Sequence, residues 1–99
     1  MASEGSHQEG EQGRLGLAVR PLTPDERQRA GVSGGVLVQD VQGPSARAGI
    51  RPGDVVLAVN GTRIDAVEQL RQLVSKSGKH VALLVERGDT RLFVPVGLA

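Results

Sequence analysis

The sequence predicts a small α+β domain that is mainly β, a partly open β-barrel of five to six strands capped by two helices. Short runs of Val, Leu and Ile alternate with turns that contain Gly, Pro or Asn. One longer segment repeats its apolar residues with a helical period. The chain of 99 residues is long enough for one hydrophobic core and too short for two.

Composition and charge exclude several classes of protein. Phe93 is the single aromatic residue and cysteine is absent, so the core must consist of Val, Leu, Ile and Ala without a disulfide. The net charge is +1 and the arginines are interleaved with acidic residues, which argues against nucleic acid as a partner. No run of about 18 apolar residues is present, so we expect no membrane insertion.

Residues 1–12 contain mostly Ser, Gly, Glu and Gln and have no apolar periodicity. Such a segment cannot bury enough surface to become ordered, and it lacks the regions of a signal peptide. We therefore expect residues 1–12 to be a disordered linker or appended tail and residues 13–99 to form the domain.

The first elements are a strand, a short helix and a second strand. The first strand covers Arg14–Pro21. Thr23 suits the N-cap of the helix, with Glu26 completing a capping box and Gly31 closing the helix. The second strand covers Gly35–Val41.

The central stretch, residues 43–61, predicts a one-turn helix, a tight turn and a buried strand. Pro44 suits the first turn of the helix, and Gly49 suits its left-handed end. Val55–Val59 is apolar without alternation, which indicates burial on both faces. The dipeptide Asn60–Gly61 is a strong hairpin signal.

The last elements are the longest helix and a hairpin. Asp65 is the expected N-cap, with Glu68 three residues later. The helix extends over Ala66–Ser77, because apolar residues recur there at helical spacing. The hairpin strands are His80–Glu86 and Thr90–Val96.

Ser33 lies in a G-x-S-x-G pattern, residues 31–35, that is typical of nucleophile elbows. That motif requires a strand before it and a helix after it, whereas here a helix precedes and a strand follows. The two histidines, His7 and His80, have no residue to orient them as a base or a metal ligand. We expect no catalytic residue, no metal and no cofactor, so the chain as given is not an enzyme.

The central stretch resembles a PDZ domain. Its residues P-S-A-R-A-G-I-R-P-G-D-V-V-L-A-V-N-G are most similar to PDZ domains of the HtrA/Deg serine proteases, in which A-x-x-A-G-ϕ-x-x-G-D-x-ϕ-x-x-ϕ-N-G recurs (ϕ, apolar). The resemblance implies the last PDZ domain of a bacterial envelope protease in the periplasm. It also implies capture of apolar peptide tails by β-augmentation.

The resemblance places the family's carboxylate-binding loop just before the first strand. Leu15, Gly16 and Leu17 match its G-L-G-F-like motif in kind, whereas Arg14 departs from the first glycine. Gly16 would let successive N–H groups point into one concavity, and the strand would offer an open edge to a peptide. The alternative is an ordinary edge strand after a loop glycine. The candidates on this side are Arg14, Leu15, Gly16, Leu17, Ala18 and Val19.

The resemblance makes the long helix the other wall of the groove. Its groove stripe comprises Val67, Arg71 and Val74, whereas Ala66, Leu70 and Leu73 face the core. The candidates on the helix are Val67, Leu70, Arg71 and Val74. The alternative assigns the whole apolar set to the core. Some PDZ domains carry a hydroxyl-selecting His where this chain has Val67, so we expect an apolar residue at the matching peptide position.

Two other functions remain open. In this family the last PDZ domain can also serve oligomer or cage assembly by packing on neighbouring protomers. PDZ domains also occur in secretion scaffolds and intramembrane metalloproteases. The expected partners are C-terminal or unfolded peptide segments and neighbouring PDZ or protease domains.

Overall fold

The computed structural model describes residues 15–98. The expectations for residues 1–12 and for Arg14 lie outside the described residues. The described strands are β1 Leu17–Pro21, β2 Val36–Val41, β3 Val55–Val59, β4 Thr62–Arg63, β5 His80–Arg87 and β6 Thr90–Gly97. The described helices are α1 Pro24–Ala30, α2 Gly43–Ala48 and α3 Val67–Lys76.

The strands form one antiparallel sheet that does not close into a barrel. Their order is β1-β2-β3-β5-β6, with β4 paired to β3, so β1 and β6 are the edges. This arrangement confirms a mainly β, partly open architecture. The helix over Gly43–Ala48 has six residues rather than the single turn expected. Three helices therefore accompany the sheet in residues 15–98, rather than two.

Strand β3 lies between two apolar clusters. All five residues of Val55–Val59 are buried, which confirms the prediction from their missing alternation. Val56 and Val59 belong to the main core, which α3 covers with Leu70 and Val74. Val55 and Leu57 belong to a smaller cluster on the other face of the sheet, together with Leu22.

Two local signals in the sequence are confirmed. The Thr23 hydroxyl accepts a hydrogen bond from the N–H of Glu26 at 3.1 Å, and the Glu26 carboxylate accepts one from the N–H of Thr23 at 2.8 Å. This is the predicted capping box. Asn60 and Gly61 have φ values of 52° and 85°, and both positive values suit the tight turn between β3 and β4.

The start of α3 differs from the expectation. The N-cap is Ala66 rather than Asp65, and Ala66 is exposed rather than turned to the core. The side-chain oxygen of Gln69 accepts hydrogen bonds from the N–H groups of Asp65 and Ala66. A residue three positions after the N-cap reaches back in this way. With the cap one residue later, that residue is Gln69 and not Glu68.

Candidate functional site

Strand β1 has one side that is not paired to another strand. It pairs antiparallel with β2, and Leu17 lies opposite Val41. The N–H of Gln42 donates to the Gly16 carbonyl at 2.8 Å. Because this bond joins the residues next to them, Leu17 and Val41 are a non-hydrogen-bonded pair of the antiparallel ladder. The N–H and C=O of Leu17 therefore point away from β2. They face the open edge of the sheet.

In the described part of the chain, the loop before β1 forms hydrogen bonds through its carbonyl groups and not through its N–H groups. The N–H of Ser45 donates to the Leu15 carbonyl at 3.0 Å, so the carbonyls of Leu15 and Gly16 both accept hydrogen bonds from the start of α2. Gly16 has φ +79°, and a Cβ there would lie 1.9 Å from the carbonyl oxygen of Gln42. Only glycine fits this position. The N–H groups of Leu15 and Gly16 donate to no acceptor within residues 15–98.

Helix α3 lies beside β1 and contacts it. Its side chains differ in burial. Leu70 and Val74 are buried in the main core, whereas Val67 is half-buried and packs against that core. Arg71 is half-buried, and its Nη2 lies 2.6 Å from the Glu68 carboxylate. Val67 and Arg71 are therefore the more exposed of the four candidates on this helix, and Leu70 and Val74 belong to the core.

The candidate residues of β1 are all buried. Leu17 and Val19 contribute their side chains to the main core, and Leu15 does so from the loop. Ala18 is buried outside both apolar clusters. What this strand offers to a ligand is therefore its main chain rather than its side chains.

An ion pair that the sequence did not reveal fixes the far end of β1. The two terminal nitrogens of the Arg20 guanidinium, Nη1 and Nη2, donate to the Glu26 carboxylate at 2.9 and 2.7 Å. The hydrogen bond from Arg20, followed by that from the N–H of Thr23, lowers the pKa of Glu26 to about 2. The same bond raises the pKa of Arg20. The pair joins β1 to the first turn of α1.

A second ion pair fixes the turn before β3. Arg87 donates to the Asp54 carboxylate at 2.9 and 2.6 Å, and to the Gly49 carbonyl at 2.9 Å. Burial opposes the ionisation of Asp54, but the hydrogen bonds from Arg87 and from the N–H of Arg51 outweigh it, so the pKa of Asp54 is lowered. No local signal predicts this pair, because 33 residues separate its members.

The structure places no catalytic arrangement around Ser33. This residue is exposed in the loop between α1 and β2, where a helix precedes and a strand follows. His80 is exposed at the start of β5. Within residues 15–98 no three His, Asp or Glu side chains are grouped closely enough to hold a metal ion. None of the helices described there is long and apolar enough to cross a membrane.

An open edge strand, a glycine loop at its start and a helix beside it define a binding module. Residues 35–87, just over half of the chain, match the family model described as PDZ domain. The chain belongs to the PDZ domain family. This confirms the resemblance drawn from the central stretch.

The curated relatives are longer proteins. A probable periplasmic serine endoprotease DegP-like from Chlamydia trachomatis is 37% identical over 87 residues, which cover 82% of this chain and 18% of the relative. The protein of the same name from Hahella chejuensis is 38% identical over 87 residues, which cover 85% and 19%. The chain thus spans about a fifth of the length of these relatives.

Solved structures of HtrA proteins have the same fold. The HtrA3 PDZ domain, bound to a phage-derived ligand (FGRWV), superposes with a TM-score of 0.76 at 31% identity and covers 86% of this chain and 83% of that one. The HtrA-type protease AlgW with a decapeptide gives 0.69 at 27% identity and covers 86% and 28%. This chain therefore matches PDZ domains of the HtrA/DegP type.

Proposed function

We propose that this domain captures apolar C-terminal or extended peptide segments by β-augmentation. The peptide adds as a strand to the open side of β1, antiparallel to it and beside α3. Its terminal carboxylate accepts hydrogen bonds from the N–H groups of Leu15, Gly16 and Leu17. The observation that carries the proposal is the main chain of Leu17, which faces the open edge of the sheet.

The energetics predict modest affinity. Each net main-chain hydrogen bond contributes about 1 kcal/mol, and somewhat more when the acceptor is charged. A short peptide loses chain entropy when it becomes ordered, so the dissociation constant should lie between roughly micromolar and millimolar. Val67 offers an apolar contact without a hydrogen-bonding group, which favours an apolar residue in the peptide.

An NMR titration of the ¹⁵N-labelled chain tests the proposal with a peptide that ends in an apolar residue and a free carboxylate. We expect the largest shifts at the amides of residues 15–20 and along α3. Amidating the peptide's C-terminus should weaken binding at least about tenfold, because charge-assisted hydrogen bonds are lost. Val67→Ala should weaken it about fivefold, through lost apolar contact.

The matched control is Gln72→Ala, since Gln72 is exposed on the same helix and should leave the affinity unchanged. Equal binding of the free and amidated peptides would refute the groove, as would shifts confined to another face. Variants of Gly16 make poor probes, because any side chain there collides with the main chain of Gln42.

We infer the parent protein from the names of the relatives. Those names support an HtrA/Deg-type serine protease of the bacterial periplasm, with neighbouring PDZ or protease domains as partners of this one. The coding sequence around this chain tests the inference. A Ser-His-Asp protease domain upstream, behind an export signal, supports it. A secretion scaffold or a metalloprotease there contradicts it.

One observation favours packing on a neighbouring domain or protomer as a second function. Phe93, the single aromatic residue, is 70% exposed on the edge strand β6. The unpaired edge of a sheet can pair with another chain, and Phe93 would add apolar surface to such a contact. Sedimentation equilibrium should then show association that grows with protein concentration and disappears in Phe93→Ser. A chain that stays monomeric at every concentration would contradict self-association.

A further inference from the structure

A cavity of about 170 Å³ lies on the face of the sheet that the main core does not occupy. Its volume is several times the roughly 30 Å³ that one water molecule occupies in the liquid. The apolar residues that line it are buried or half-buried, and the polar ones are exposed. Its apolar lining includes Val32, Leu57 and Leu84, and its polar lining includes Ser33, Arg63 and Arg91.

The loop that forms one wall of this cavity is packed in place. A Cβ at Gly34 would lie 1.9 Å from a carboxylate oxygen of Asp65, so the loop main chain lies directly against the segment that precedes α3. The N–H of Val32 donates to the Arg27 carbonyl at 3.0 Å, which ties the loop to the end of α1. The cavity is therefore formed before any ligand arrives.

The cavity carries positive charge that its surroundings do not compensate fully. Arg91 contacts the Glu86 carboxylate at 3.3 Å. Arg63 is exposed and forms no ion pair with any residue between 15 and 98. Although Asp65 lies near the loop, it is not within ion-pair distance of Arg63. One guanidinium group thus remains available next to an apolar surface.

We propose that this cavity binds an acidic side chain, Glu or Asp, flanked by an apolar residue in a partner protein. The carboxylate would pair with Arg63, whose planar guanidinium suits it, and would accept a hydrogen bond from the Ser33 hydroxyl. The flanking apolar residue would cover Leu57 and Leu84. A free inorganic anion would leave that apolar surface exposed. Nucleic acid is disfavoured, because the cavity contains no aromatic residue for stacking.

The site is separate from the peptide groove. The groove lies at β1 and α3, which belong to the main core. The cavity includes Leu57, Leu84 and Val32 of the smaller cluster on the opposite face of the sheet. Because the residues of the two sites do not overlap, the positions of the shifted amides tell binding at the cavity from binding at the groove, and a ligand without a free carboxyl terminus removes the terminal carboxylate that the groove is proposed to hold.

The probe is the blocked peptide acetyl-Leu-Glu-Leu-amide, titrated into the ¹⁵N-labelled chain. We expect amide shifts at Ser33, Ala58 and Arg63. The matched peptide with Gln in place of Glu should bind at least about threefold more weakly. Arg63→Gln should weaken binding of the Glu peptide about threefold to fivefold, which is typical of an exposed ion pair. Arg47→Gln makes the same charge change on α2 and should have no effect.

Four outcomes would overturn the proposal. The Glu and Gln peptides could bind equally, or the Arg63 and Arg47 variants could lose the same affinity, which would indicate only an effect of net charge. The shifts could fall on Leu17 and Val67 instead. Lastly, the same amides could shift with protein concentration in the Phe93→Ser variant in the absence of peptide, which would assign the cavity to a second copy of the chain. Unchanged amide spectra of both variants outside the substituted residue verify that they fold.

Discussion

Single residues decide whether the turn before β3 keeps its shape. The Asp54 carboxylate is 3% exposed and takes hydrogen bonds from Arg87 and from the N–H of Arg51. Arg87 also binds the Gly49 carbonyl and so joins the end of α2 to β5. The sequence predicted the turn itself from its Pro and Gly. It could not predict Arg87 as the partner, because that choice depends on which strands pair.

Replacing Arg87 by Ala should lower the free energy of unfolding by about 2 kcal/mol, because a buried carboxylate loses its counter-charge. Urea unfolding at neutral pH measures the change. The control is Arg29→Ala, which removes only an exposed pair with Asp25 and should cost at most about 0.5 kcal/mol. Equal losses in the two variants would show that the Asp54–Arg87 pair contributes no more to the free energy of unfolding than an exposed ion pair does.

At the scale of elements, signals within one helical turn were the most informative. The capping box of α1 involves residues three apart and formed as predicted. At α3 the predicted pair of Asp65 and Glu68 did not form. The helix begins one residue later at Ala66, whose side chain cannot accept a hydrogen bond, and only Gln69 reaches back to the main chain. A cap prediction shifts by one residue when neighbouring side chains can both reach back.

The capping box of α1 makes a prediction for pH. Hydrogen bonds from Arg20 and from the N–H of Thr23 lower the pKa of Glu26 from 4.5 to about 2. A lowered pKa means that the ionised form stabilises the fold. This contribution is complete above pH 4.5, the value in the unfolded chain, and is lost as the pH falls toward 2.

Melting temperatures of the wild type and Glu26→Gln should therefore differ at neutral pH and converge between pH 4.5 and about 2. Asp25→Asn is the control in the same turn of α1, and it should show a much smaller difference at neutral pH. A difference between Glu26→Gln and the wild type that stays constant down to pH 2 would contradict the assigned role of the carboxylate.

At the scale of the whole molecule, the pattern of apolar residues predicted more than single motifs did. The missing alternation in Val55–Val59 correctly indicated two covered faces. The resemblance predicted a peptide groove between β1 and α3, and the structure shows α3 in contact with this edge strand, while binding there stays a prediction. The cavity beside Arg63 and the exposure of Phe93 were not predicted, because both depend on which residues lie opposite each other on neighbouring strands. Phe93 lies opposite Leu84, which lines that cavity.

The peptide groove and Phe93 should act independently. The Phe93 side chain belongs to neither apolar cluster, whereas Val67 packs against the main core, and sites without shared partners usually couple by less than about 0.5 kcal/mol, or roughly twofold in affinity. Phe93→Ser should therefore abolish self-association while changing the affinity for a C-terminal peptide by less than about twofold. Val67→Ala should weaken peptide binding and leave self-association unchanged.

The double variant Val67→Ala with Phe93→Ser completes the cycle, measured by NMR titration and by sedimentation equilibrium on the same samples. The double variant should lose as much peptide affinity as Val67→Ala does and as much self-association as Phe93→Ser does. If Phe93→Ser weakens peptide binding as strongly as Val67→Ala does, the peptide contacts Phe93 on β6, because this side chain belongs to neither apolar cluster and so has no packing through which it could alter the groove. The groove assignment would then fail, although the fold and the family would stand.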